Sequence, residues 1–141
     1  MRIFSKNARE YVEFSWKYAL LVFSISLLML LGAWMGMMPV PSSSPLVILV
    51  LLAVAAAGWN SRRQGFSLWQ ALIVGILCST GNLWLVPIAI MSYLEELGVP
   101  QDYLMINLLI LSLISIFFNL LILEACAAAG SLSSSIFIKR A

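Results

Sequence analysis

Every basic residue of this 141-residue chain falls in one of three short patches: Arg2, Lys6, Arg9 and Lys17; Arg62 and Arg63; and Lys139 and Arg140. The stretches between them are apolar and long enough to cross a hydrocarbon core, which needs about 20 residues of helix. Lys and Arg beside membrane spans stay on the cytoplasmic side. The spacing therefore predicts both a class and a topology. It is an all-α integral membrane four-helix bundle with both termini cytoplasmic, and Arg62, Arg63, Lys139 and Arg140 act as topology anchors. Residues 1–141 read as a single transmembrane domain, with long third and fourth helices.

Composition agrees. Hydrophobic residues make up 62% of the chain and charged residues 10%, against about 25% charged in ordinary soluble domains. Water could not be kept off so much apolar surface, whereas lipid need not be. A net charge of +2, gathered at helix ends, reads as topology and headgroup attraction; no nucleic-acid partner is expected. The chain has no His, so no His-ligated metal and no Ser-His triad can form. Cys78 and Cys126 lie inside apolar segments, where a thiol is usually a small packing residue. The first apolar stretch is too long for a signal-peptide core and reads as a retained span.

The predicted spans are 17–38, 45–64, 68–93 and 104–138. Residues 1–17 read as a solvated or interfacial helical lead-in. Trp16 and Trp34 fit the two aromatic belts of the first span. The connector 39–45 carries three prolines, and Ser44 before Pro45 reads as an N-cap. Gly65 stops the second helix. Ser67 and Gln70 have capping-box spacing at the start of the third, and Pro87 should kink that helix. The acidic turn Glu95, Glu96 and Asp102 belongs outside. A helix from Pro100 to Lys139 would be about 57 Å long, nearly twice the core. It reads as one helix, either continuous or broken near Gly130, whose outer half projects an apolar surface (Leu108, Ile110, Leu111, Ile114, Phe117, Phe118).

Glu124 is the one ionisable group deep in an apolar segment, a placement that costs several kcal/mol on insertion scales. At helical spacing it shares a face with Ala128, Ser131 and Ser135. The structural reading is a neutral, hydrogen-bonded glutamate cementing the bundle; the functional one is a carboxylate that titrates or binds a cation. Asn82 and Thr80 on the third span could meet Asn107 and Asn119 on the fourth, as glue or as the lining of a path. Glu124, Asn82, Asn119 and Ser131 are thus the candidate intramembrane polar site. Cys126, Ala128, Gly130, Ser134 and Ser135 are candidate helix-contact residues. No nucleophile lies beside a base, no glycine loop could cradle a phosphate, and no catalytic residue, cofactor or metal site is expected.

Two basic residues followed by Gly65-Phe66-Ser67-Leu68-Trp69-Gln70-Ala71-Leu72-Ile73-Val74-Gly75 resemble the start of the third span in the domain of unknown function 4199 family. The ending Ser131-Leu132-Ser133-Ser134-Ser135-Ile136-Phe137-Ile138-Lys139-Arg140 resembles that family's last span. Two features depart from it: the turn at 94–103 is short and acidic, and Ala127 stands where a glycine is expected. The resemblance implies four spans in a bacterial inner membrane and no assigned activity. The functional expectation is an accessory or structural membrane subunit, or a homo-oligomer, acting through helix contacts with the bilayer, another subunit or a second copy. The alternative is a small transporter or channel component using Glu124.

Overall fold

The computed structural model describes residues 2–3, 6–35 and 45–140. Two short strands, β1 (Arg2–Ile3) and β2 (Lys6–Asn7), pair antiparallel with Arg2 opposite Asn7. Five helices follow: α1 (Ala8–Trp34), α2 (Leu46–Arg63), α3 (Leu68–Leu83), α4 (Leu85–Glu96) and α5 (Gln101–Arg140). Taking α3 and α4 together, four helical segments are long and apolar enough to cross a membrane. This is an all-α, multi-pass membrane four-helix bundle, preceded by a pair of two-residue strands.

Local sequence explains most helix ends. The lead-in is split: strands take residues 2–3 and 6–7, and helix starts at Ala8, where the Glu10 carboxylate accepts from the Asn7 backbone N–H at 2.6 Å. An acidic side chain in a first turn both fills an orphan donor and complements the helix dipole. Trp16 and Trp34 are both exposed, and eighteen residues of helix separate them by about 27 Å, close to the core thickness. The Ser44 cap and most of the proline connector lie outside the described residues; α2 opens directly after Pro45.

At the other end of α2, Gly65 takes φ 86°. Gly65 N–H donates to Arg62 O at 3.1 Å and Phe66 N–H to Ser61 O at 3.0 Å, the paired bonds of a Schellman stop. Gly98 closes α4 the same way, with φ 70° and Val99 N–H donating to Leu94 O at 3.3 Å. No atom lies within 4 Å of a Cβ added at Gly65, so Gly65→Ala should cost only the left-handed backbone term, about 1 kcal/mol. A small fall in the denaturant midpoint in mild micelles would show it. The capping box at α3 is present in both directions: Ser67 N–H donates to Gln70 Oε1 at 2.7 Å, and Gln70 N–H to Ser67 Oγ at 3.3 Å.

The third crossing breaks at Trp84, one turn before Pro87. Proline lacks an N–H, and its ring presses on the carbonyl four residues back, which here belongs to Leu83, the last residue of α3. The discontinuity thus falls where the strain falls. The Trp84 indole N–H donates to Gly81 O at 2.6 Å, supplying a side-chain donor beside the break.

The fourth crossing is the continuous one of the two forms the sequence allowed. α5 runs unbroken for 40 residues through Gly130. That glycine is a point of close approach: a Cβ there would come 3.0 Å from Trp59 N and closer still to Ala55 O. Gly58 of α2 presses reciprocally on the Ala127 backbone. Small residues thus let the α2 and α5 backbones touch, as small-xxx-small seams do in membranes.

The packing joins parallel helices. α1 runs alongside α3, with Tyr11 against Phe66 and Ser26 hydrogen-bonded to Asn82. α2 runs alongside α5, with Gly58 at Ala127 and the Trp59 ring 5.4 Å from that of Phe137. α3 also touches α2 and α5, while α4 lies against the N-terminal half of α5. The core of Val22, Met29, Val54, Ala57, Val74, Cys78, Leu123 and Ala127 fills the space between them.

Candidate intramembrane polar site

Glu124 projects from α5 toward α3. A Cβ built on Gly75 would come 2.7 Å from its Oε1 and 2.8 Å from the Ala127 Cβ, so the missing side chain of Gly75 makes room for the carboxyl. Oε1 is buried and has no hydrogen-bond partner among the described residues. Gly75 lies about 10 Å along α3 from Leu68, well inside the apolar zone. Cys78, fully buried, is one turn further on.

The buried stripe of α5 runs through Leu123, Ala127, Gly130, Ser131 and Ser134. Ser131 and Ser134 therefore sit in the seam, and the Ser134 hydroxyl is buried without a hydrogen-bond partner among the described residues. Cys126, Ala128 and Ser135 are half-buried at its margins; Ser135 Oγ donates to its own helix at Leu132 O, 2.8 Å. The stripe is rotated by one residue from the face containing Glu124 and Ala128, because α5 packs on α2 and α3 at once.

The two asparagines lie elsewhere. Asn82 Oδ1 accepts from the Ser26 hydroxyl of α1 at 2.8 Å, with both residues buried. Asn82 and Asn119 line one cleft of about 580 Å³, toward the end of the bundle away from Arg62 and Arg63. Glu124 is not among its lining residues. Thr80 is exposed and donates to Leu77 O within its own helix; Asn107 is half-buried on α5. Comparison with protein-family models, with curated proteins and with solved structures found no match.

Sequence reasoning missed Ser26 and the Asn60–Tyr18 pair, in which the amide Nδ2 donates to the phenol at 2.5 Å. A clue to the second was present: Asn60 precedes Arg62 by two residues and Tyr18 follows Lys17, so both fall at one membrane level. Ser26 offered none, since serine is a common packing residue in apolar helices.

The basic patches converge at the same end. Phe66 is buried beneath the N-terminal segment, with the Lys6 ammonium 4.5 Å from its ring centre and the Phe14 ring 5.2 Å away. The Arg62 guanidinium donates to Phe66 O at 3.3 Å, Arg63 is exposed, and Lys139 and Arg140 form the last helical turn of α5. A basic, aromatic-lined end of this kind suits the headgroup layer.

Proposed function

We propose that this protein is a non-enzymatic subunit of a bacterial inner membrane, with both termini and the Arg62–Arg63 turn in the cytoplasm, acting through contacts with a second copy or another membrane protein. The domain of unknown function 4199 resemblance is in keeping with that setting. The length of α5 carries the reading. Residues 104–138 contain no charge but Glu124, and this stretch spans about 52 Å. A core of about 30 Å crossed at a tilt of about 40°, the top of the usual range, accommodates only about 39 Å. More than a turn of apolar helix is therefore left over, where Tyr103, Met105, Ile106, Leu109 and Ile110 are all exposed. α4 covers one side only, and a partner covers the rest.

In mild detergent the protein should elute as a dimer or a stable hetero-complex. The pair Ile106→Lys and Ile110→Lys should give a folded monomer with unchanged helix content. A wild-type chain that is always a bare monomer would sink the proposal. Reporter fusions should place residue 63 and the carboxyl end on the cytoplasmic side.

A second reading rests on the unpartnered Glu124 Oε1: a carboxylate on the path of a proton or cation. Loss of an ion-dependent flux in reconstituted vesicles on Glu124→Gln would favour it over the contact role.

A further inference from the structure

The cleft holding Asn82 and Asn119 has a composition that packing alone does not require. Its apolar walls include Met29 of α1, Val50 of α2, Ala89 and Ile90 of α4, and Phe118 of α5. It lies on the α4 side of the break at Trp84. There α4 packs chiefly on α5 and touches α1 only slightly. Its volume, about 580 Å³, lies within the ~300–1,000 Å³ typical of small-molecule sites.

Four polar residues line this apolar space: Asn82, Tyr93, Ser115 and Asn119. The Asn82 oxygen is occupied by Ser26, so what it offers the cleft is its two N–H donors. Asn119 has no protein hydrogen bond among the described residues, and neither do the Asn82 N–H groups. In the bilayer no water is at hand to satisfy them, and an amide left unpaired in such surroundings costs free energy. Two donors set among hydrocarbon walls match a molecule that is a chain for most of its length and carries a hydrogen-bond acceptor at one point.

We propose that this cleft binds one such membrane amphiphile: a hydrocarbon chain bearing a carbonyl, held by amide N–H donation from Asn82 and Asn119, with the chain along Val50, Ile90 and Phe118. The site lies apart from Glu124 and from the projecting part of α5. It can therefore be present whether or not the subunit role holds.

The test uses full-length protein in vesicles of ether-linked (dialkyl) phosphatidylcholine, which carries no carbonyl, containing a trace of a diazirine-labelled acyl ester, with labelled residues mapped by peptide mass spectrometry. Labelling should concentrate on cleft residues at least fivefold over the exposed residues Leu28 and Leu52 of α1 and α2. Ala89→Leu, which narrows the cleft, and Asn119→Leu, which removes a donor, should each cut cleft labelling severalfold while leaving labelling of Leu28 unchanged. Ala89→Leu is the milder structural change, and retained oligomeric state and helix content certify either variant. An unlabelled ester should compete several times better than the ether of equal chain length, which lacks the carbonyl. Uniform labelling along the exposed faces, or cleft labelling indifferent to both substitutions, overturns the site. Equal competition by ester and ether overturns the role of the amides.

Discussion

Gly130→Ile should separate α2 from α5 and cost more than about 3 kcal/mol, the upper end of what overpacking usually exacts. The obstacle is main chain: an added Cβ meets Ala55 O and Trp59 N, and neither can turn aside as a side-chain tip could. Ile also introduces branching directly at that carbon. The four segments will stay helical, because in lipid each backbone N–H and C=O must be satisfied within its own helix. The change is therefore to be read in tertiary structure: a lost disulfide cross-link between cysteines placed across the α2–α5 seam, or a shifted midpoint in sodium dodecyl sulfate titration from mild micelles. Gly58→Ala should act in the same direction against the Ala127 carbonyl. Since both substitutions push the same two helices apart, Gly58→Ala with Gly130→Ala should cost less than the sum of the two alone. Gly98→Ala serves as the comparison, for no atom lies within 4 Å of its added Cβ. It should cost about 1 kcal/mol, the price of φ alone. A seam that accepts Ile at 130 with no larger effect would mean that α2 and α5 do not pack through these glycines.

Gly130 also shows what a single sequence reveals and what it hides. The helices were legible because their signals are local: Ser67 and Gln70 close a cap on each other, Gly65 and Gly98 end helices, and apolar runs of span length have one stable form in lipid. Partnering is not local. Asn82 looked suited to an asparagine across the α3–α5 hairpin, yet it bonds to Ser26, because α1 lies beside α3 as a parallel neighbour that no short loop announces. In the same way, Gly130 could be read as a contact residue from its small-residue spacing, but not which helix it meets. Ala55 and Trp59 of α2 lie against it. Pro87 occupies middle ground. Its effect was foreseeable, but its location depended on which carbonyl the ring presses, and that put the break at Trp84.

Glu124→Met should raise stability by about 1–3 kcal/mol, the cost of keeping a buried polar group without a partner. Met approximates the length of Glu and bends to fit the space over Gly75, so the exchange removes the polar atoms without opening a cavity. The midpoint of the detergent titration should move up. Glu124→Gln, which keeps a polar end in the same place, should change it little. A fall on Glu124→Met would mean that the carboxyl cements α3 to α5 through a bond that the unpartnered Oε1 does not show. The sign also bears on function. An acidic group that weakens the bundle and makes no structural bond in return is the kind of residue an apolar seam would lose unless its chemistry were used. Stabilisation by Glu124→Met together with loss of an ion-dependent flux would therefore move the protein from the contact role to the transport role. Stabilisation with every assembly intact would leave Glu124 a tolerated defect in a seam that Gly58, Ala127 and Gly130 hold closed without it.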